Sequence, residues 1–372
     1  MGKLRDAFEK KETEQEETSF LGKLFSSPLI RGFYKEEKPV IDVKLDGNKN
    51  EQLRMTALIN EIANNSPSGR KILEDAAKAG FSFGFATQAG SYGFCSEEDK
   101  IIRLNPMKKD AKLIATLAHE SRHAQQHLRG VPTQFCTFDV ATELKLRRAT
   151  EADAQAAAAQ VALEIRAATQ SDKVWRAFEQ SDPDITRSVE KPSVFKPVSY
   201  VVENSEKTMQ AAFTGWFNNW RIIDAYEQGY LYGHLMQAGR YSDPVEAKKL
   251  FEEKPFSGHK TSAEVLQMVC VSDKGTCYFA DDLDIMDRNT RMCGLCKETR
   301  TAADMFFRER EKVTGQKPDT SYRDLPNRGG LFKALEMAMQ GMMDVKASKS
   351  PTDKKAPPPS LTAALRRLHQ GR

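Results

Sequence analysis

The sequence predicts an α+β fold, in which a small antiparallel sheet leads directly into a long helix and a mainly helical remainder follows. Three observations carry this. Phe81, Phe83 and Phe85 alternate with Ser82 and Gly84, and Ile101-Ile102-Arg103-Leu104 forms a second short run, the pattern of half-buried strands. Immediately downstream, Leu113, Ile114, Leu117 and Ala118 recur at helical spacing. No self-similarity at a fixed period is present, which excludes a solenoid or propeller.

Taken in order, residues 1–50 are rich in Lys, Glu and Gly. They read as a disordered or partly helical arm, with an apolar docking patch from Phe20-Leu21 to Phe33-Tyr34. Residues 51–240 form the main domain. Leu53, Leu58, Ile59 and Ile62 predict a helix that stops at Asn64-Asn65-Ser66-Pro67. Ile72, Leu73, Ala76 and Ala77 predict a second, ending at Gly80. The two strand runs flank a turn at Ala89-Gly90-Ser91-Tyr92-Gly93. A helix from about Lys109 to Leu128 follows, closed by Gly130 and Pro132, then one from about Asp139 to Ala167 with a close-packing Ala-rich stretch. Residues 170–200, with Pro183, Pro192 and Pro197, read as a loop, and Met209–Met236 as an aromatic-rich helix. Residues 241–346 form a helical, Cys-containing region, and 347–372 a Pro-rich disordered tail.

Fifty-six basic residues nearly balance 52 acidic ones, a net charge of +4, so no field argues for stable nucleic-acid binding. No apolar run is long enough for a membrane span, and MGKLRDAFEKK lacks the apolar core of a secretory signal. Asp6 stands where a myristoylation motif requires Ser or Thr. The expectation is a cytoplasmic protein, or one exported without a cleaved signal.

The chemistry concentrates in His119-Glu120-Ser121-Arg122-His123. Histidines at i and i+4 on a helix project from one face, so both imidazoles can reach a single Zn2+ at ~2.0–2.1 Å. Glu120 lies beside the metal, placed to take a proton from metal-bound water and give it to a leaving amine. Peptide-bond hydrolysis of a protein or peptide substrate is the expected activity. A strand just before this helix, at a sheet edge, could align a substrate backbone. Arg122 is expected to point away from the metal, toward solvent or an acidic partner. His127 continues the series, but i and i+8 are ~12 Å apart on a straight helix, too far to share one ion with His119. The better third ligand is Glu151, set among small residues in the next helix about 28 residues past His123, the gluzincin plan. Glu143 and Asp153 are alternative ligands, and Thr150 and Asp153 candidate partners that orient the histidines. An oxyanion stabiliser is expected among Tyr226, Tyr230, Tyr232 and His234.

With these residues in hand, a resemblance emerges. The runs Ser66-Pro67-Ser68-Gly69-Arg70-Lys71-Ile72-Leu73, Ile101 to Pro106, His119 to Gln125 and Glu151-Ala152-Asp153-Ala154 resemble a family of bacterial metallopeptidase domains with no assigned substrate. More distantly, they resemble HExxH effector peptidases that pathogens deliver into host cells. The resemblance covers roughly residues 50–235. It implies zinc, a gluzincin-like third ligand at Glu151, a zincin-like fold and a bacterial source.

Cys293-Gly294-Leu295-Cys296 is a CxxC knuckle that, with Cys270 and Cys277, could form a structural zinc site. The alternative is four reduced thiols, and Cys95 and Cys136 read as core. Two rival functions stay open at this point. One is a catalytically silent metal-binding scaffold. The other is a nucleic-acid-associated protein using a Cys zinc module and the basic Arg366-Arg367 tail.

Overall fold

The computed structural model describes residues 34–88, 90–132, 138–189, 195–226, 258–315, 317 and 320–328. The 20–34 patch (but for its last residue), Cys136, Tyr230, Tyr232, His234 and the C-terminal tail lie outside them. Among the described residues the chain is α+β, mostly helical, with one four-stranded sheet.

Strands β1 (Lys44–Leu45), β2 (Ser82–Phe85), β3 (Gly93–Ser96) and β4 (Ile101–Leu104) are ordered β1-β2-β4-β3. The expectation of an antiparallel sheet is corrected. β1–β2 and β2–β4 are parallel, and β3–β4 alone is antiparallel. Alternation of residue type reports which face is buried, not which way a neighbouring strand runs. The β3–β4 hairpin reverses the chain twice and lays β4 alongside β2 in the same direction, with Phe83 opposite Ile102 and Phe85 opposite Leu104. A second correction follows. β4, the strand immediately before the motif helix, is interior, and the edges are β1 and β3. Phe83, Ile102 and Leu104 are fully buried. Around Ser82 and Gly84, Arg103 pairs with Asp46 at 2.6 Å and the Ser82 hydroxyl donates to Asp46.

Helix α1 (Lys49–Asn65) starts a turn before its apolar stripe, because Asn48 and Glu51 form a capping box. Ser66 caps α2 (Pro67–Lys78), whose first residue is a proline. Helix α3 (Asp110–Leu128) carries the motif, and its start is anchored from α1. Arg54 donates Nε and Nη2 to Asp110 at 2.9 and 2.8 Å, Nη1 to the Pro106 carbonyl and Nη2 to the Lys108 carbonyl. The helix exits at Gly130, in the left-handed region at φ +80° that glycine adopts without strain. Helix α4 (Val140–Thr169) follows, and Ala152, Ala154, Ala156, Ala157, Ala158 and Ala159 are all buried along it. Near its end the buried Glu164 accepts from the Ser66 and Ser68 hydroxyls at 2.6 and 2.7 Å and from the Ser68 amide at 3.0 Å.

The 170–200 segment is not a loop. It holds α5 (Lys173–Ser181), α6 (Pro183–Ser188) and α7 (Val198–Glu203). Pro183 occupies the first position of α6 and Pro197 the N-cap of α7, where a missing N–H costs nothing, so these prolines start helices. The single helix expected over Met209–Met236 is likewise broken. α8 (Ser205–Trp216) ends in a turn, and residues 220–226 are helical again. Beyond lie α9 (Ser262–Val269), α10 (Ile285–Arg288), α11 (Thr290–Cys293) and α12 (Lys297–Thr314).

The chain divides into two compact units. One comprises Met1–Leu128, Ala157–Pro183 and Lys191–Ser205, and the other Arg129–Ala156, Asp184–Glu190 and Glu206–Arg372. In the first, Ile59, Ile62, Leu73, Leu113, Leu117, Trp175 and Phe178 are buried with the sheet. In the second, Phe213, Trp216, Phe217, Tyr278 and Phe279 form an aromatic cluster. Among the described residues no helix is long and apolar enough to cross a membrane.

Candidate metal centre

Helical spacing does the first part of the assembly. His119 and His123 lie one turn apart on α3, their rings edge-on with centroids 4.6 Å apart and their Nε2 atoms 3.0 Å apart. Two nitrogens on one tetrahedral ion at bond lengths of ~2.0–2.1 Å would stand ~3.3–3.4 Å apart, so the pair needs only a slight opening. On the far side of the His123 ring, Nδ1 meets the Gln126 side-chain oxygen at 2.9 Å. With that oxygen facing it, Nδ1 carries the hydrogen and Nε2 keeps its lone pair for a ligand bond. Sequence reasoning missed this role of Gln126, although its i+3 spacing from His123 was the available signal.

Glu151 lies on α4, six residues before the stretch of that continuous helix that belongs to the first unit. One ligand atom each of His119, His123 and Glu151 lies within 4.8 Å of the others. This is the one such grouping of three or more His, Cys, Asp or Glu residues among the described residues. His123 and Glu151 are half-buried. Two imidazole nitrogens and a carboxylate oxygen suit zinc and similar divalent ions, and the set fits a metal. Tyr226, in the 220–226 helical stretch, donates its hydroxyl to Glu151 Oε2 at 2.9 Å.

Glu120 is buried, and its charge is felt on the edge strand. The Cys95 thiol of β3 is pushed up, first by burial and then by the Glu120 and Glu97 carboxylates. Gly93 allows this close approach of β3 to α3, since a Cβ there would sit 2.8 Å from the Arg103 carbonyl oxygen and 2.9 Å from Thr116 Cγ2. Cys95 itself is half-buried, not core.

Arg122 does not reach solvent. It is buried and donates to Gln125, which in turn donates to Asp75 at 2.7 Å, tying α3 to α2. Of the two directions expected for its side chain, solvent or an acidic partner, burial excludes solvent. His127 pairs with Glu97 at 3.3 Å. Glu143 accepts from the Phe138 amide at 3.0 Å and pairs with Arg147, at the beginning of α4. Thr150 donates back to the Leu146 carbonyl, and the buried Asp153 accepts from Tyr278 at 2.9 Å.

The four C-terminal thiols do not form a metal-ligand grouping with one another. Cys296 Sγ accepts from the Thr299 amide as the N-cap of α12, Cys277 Sγ from the Phe279 amide, and Cys293 Sγ lies against the Asn289 carbonyl. Cys270 ends α9 and is buried.

A mainly helical α+β protein carrying a two-histidine, one-carboxylate centre is thus a candidate metalloprotein. The family model described as "Putative metallopeptidase family (DUF6782)" matches residues 34–278, well over half the chain, and the chain belongs to that family. No curated protein and no solved structure matches it. Membership implies a metal ion and a protein or peptide substrate.

Proposed function

We propose that this chain is a zinc-dependent metallopeptidase of the HExxH type, with a zincin-like domain and the gluzincin ligand set. His119, His123 and Glu151 would hold the ion, leaving a fourth position open. Zinc, when bound, supplies a Lewis acid that polarises a peptide carbonyl and makes water nucleophilic at neutral pH. Glu120, next to His119, takes the proton from the attacking water and delivers it to the leaving nitrogen. The Gln126 amide fixes the His123 tautomer, and the Glu151 carboxylate offsets cationic charge at the site. A bacterial source, and a cytoplasmic or signal-independently exported protein, belong to the same reading.

The observation that carries this reading is the convergence of the three ligand atoms within 4.8 Å. The test is Glu120→Gln. The variant should keep the wild-type zinc stoichiometry while cleavage of a denatured protein falls by about 10²–10⁴-fold, the usual worth of a general acid–base. Wild-type cleavage by Glu120→Gln would defeat the mechanism. A wild-type protein that holds zinc and cleaves nothing would instead favour a silent scaffold.

A further inference from the structure

We infer that Tyr226 is a positioning residue of the metal centre, aiming Glu151 by donating its hydroxyl to one carboxylate oxygen so that the other is presented to the ion. The inference rests on the proposed ligand set above. Its starting point is the 2.9 Å bond from Tyr226 Oη to Glu151 Oε2.

A half-buried glutamate on a helix surface has several rotamers open to it, and ordering it costs free energy whenever a metal is captured. A carboxylate has about four lone-pair sites on two oxygens, so engaging Oε2 with a phenol leaves Oε1 fully able to ligate. The donor is itself held in place. The Tyr226 ring lies 5.9 Å, centroid to centroid, from that of Trp216, which is buried at the end of α8. Two residues earlier, Asp224 pairs with Arg328 at 2.5 Å, and both side chains are at least 95% buried. Such a pair is costly to break once desolvated, so it pins the short 220–226 stretch. Arg328 lies beyond the residues matched by the family model, so a residue outside that match contributes to holding this stretch. Tyr226 is among the residues the sequence offers as an oxyanion stabiliser or as a partner of the ligands. Its hydroxyl is directed at the carboxylate proposed as a ligand.

The experiment uses the full chain and compares wild type with Tyr226→Phe, Glu151→Gln and His123→Ala. Zinc affinity is read by competition with a chromophoric chelator, and coordination by the visible absorption of the Co2+-loaded protein. Tyr226→Phe keeps the ring on Trp216, so the metal-free unfolding midpoint should match wild type. Its zinc affinity should fall about tenfold or more, the usual cost of losing such an outer partner, with a shifted Co2+ spectrum. Wild-type affinity and an unchanged spectrum in Tyr226→Phe, while His123→Ala and Glu151→Gln lose zinc, would overturn the role of Tyr226 and leave the centre standing. Equal zinc binding by wild type, His123→Ala and Glu151→Gln would overturn both.

Discussion

Replacing Arg54 by alanine tests how the motif helix is held. Four hydrogen bonds from one guanidinium, two to Asp110 and one each to the Pro106 and Lys108 carbonyls, fix the turn from which α3 starts. The Arg54 side chain is 12% exposed and that of Asp110 34%, so the ion pair is partly screened and is worth about 1–2 kcal/mol. Losing a charged donor from two carbonyls adds about 1–2 kcal/mol, because water can replace only part of it. Arg54→Ala should therefore destabilise by about 2–4 kcal/mol. At ~2–4 °C per kcal/mol for a domain of 150–250 residues, the midpoint should fall by roughly 5–15 °C. Thermal unfolding of the metal-free protein, followed by far-UV circular dichroism, is the assay. Arg54→Lys should recover less than half of the loss, since a single ammonium cannot serve three diverging acceptors. A midpoint within about 1 °C of wild type for Arg54→Ala, or full rescue by lysine, would refute this account of the helix start.

Two further outcomes follow from the same geometry. Gln126→Ala should weaken zinc binding by about 10–100-fold by freeing the His123 tautomer, and chelator competition giving wild-type affinity would remove that role. Glu164 is held above the ordinary carboxylate range, first by burial, with the Ser66, Ser68 and Gln160 bonds opposing the shift. Its stabilising contribution is complete below the unfolded value, ~4.3, and is lost as pH rises through the higher folded value. The midpoint of wild type relative to Glu164→Gln should therefore be most favourable near pH 4 and decline toward neutrality, in metal-free protein. A pH-independent difference between the two would refute it.

Elements whose signal is local are legible in the sequence. The Asn64-Asn65-Ser66-Pro67 break, the Gly130 exit and the Ala-rich face of α4 each follow from the conformational preference of the residues concerned. The prolines of 170–200 misled because proline stops a helix from within and starts one from its first turn, and only the neighbouring packing separates the two cases. For Arg122 the pattern left solvent and an acidic partner both open, and burial excludes the first. Its guanidinium faces Gln125, which bonds Asp75 of a neighbouring helix, an arrangement that no helical pattern reveals.

The amino-acid order alone determined that two imidazoles and a carboxylate-bearing residue between them share one helix, because an i, i+4 spacing is a property of 3.6 residues per turn. It also determined where that helix ends, through glycine chemistry that acts over a few residues. The tertiary structure decided the strand directions, the edge position of β3, the meeting of Glu151 with the two histidines and the bond from Tyr226 to Glu151. These join residues tens of positions apart. Their proximity depends on how buried surfaces pack, and no local propensity encodes it.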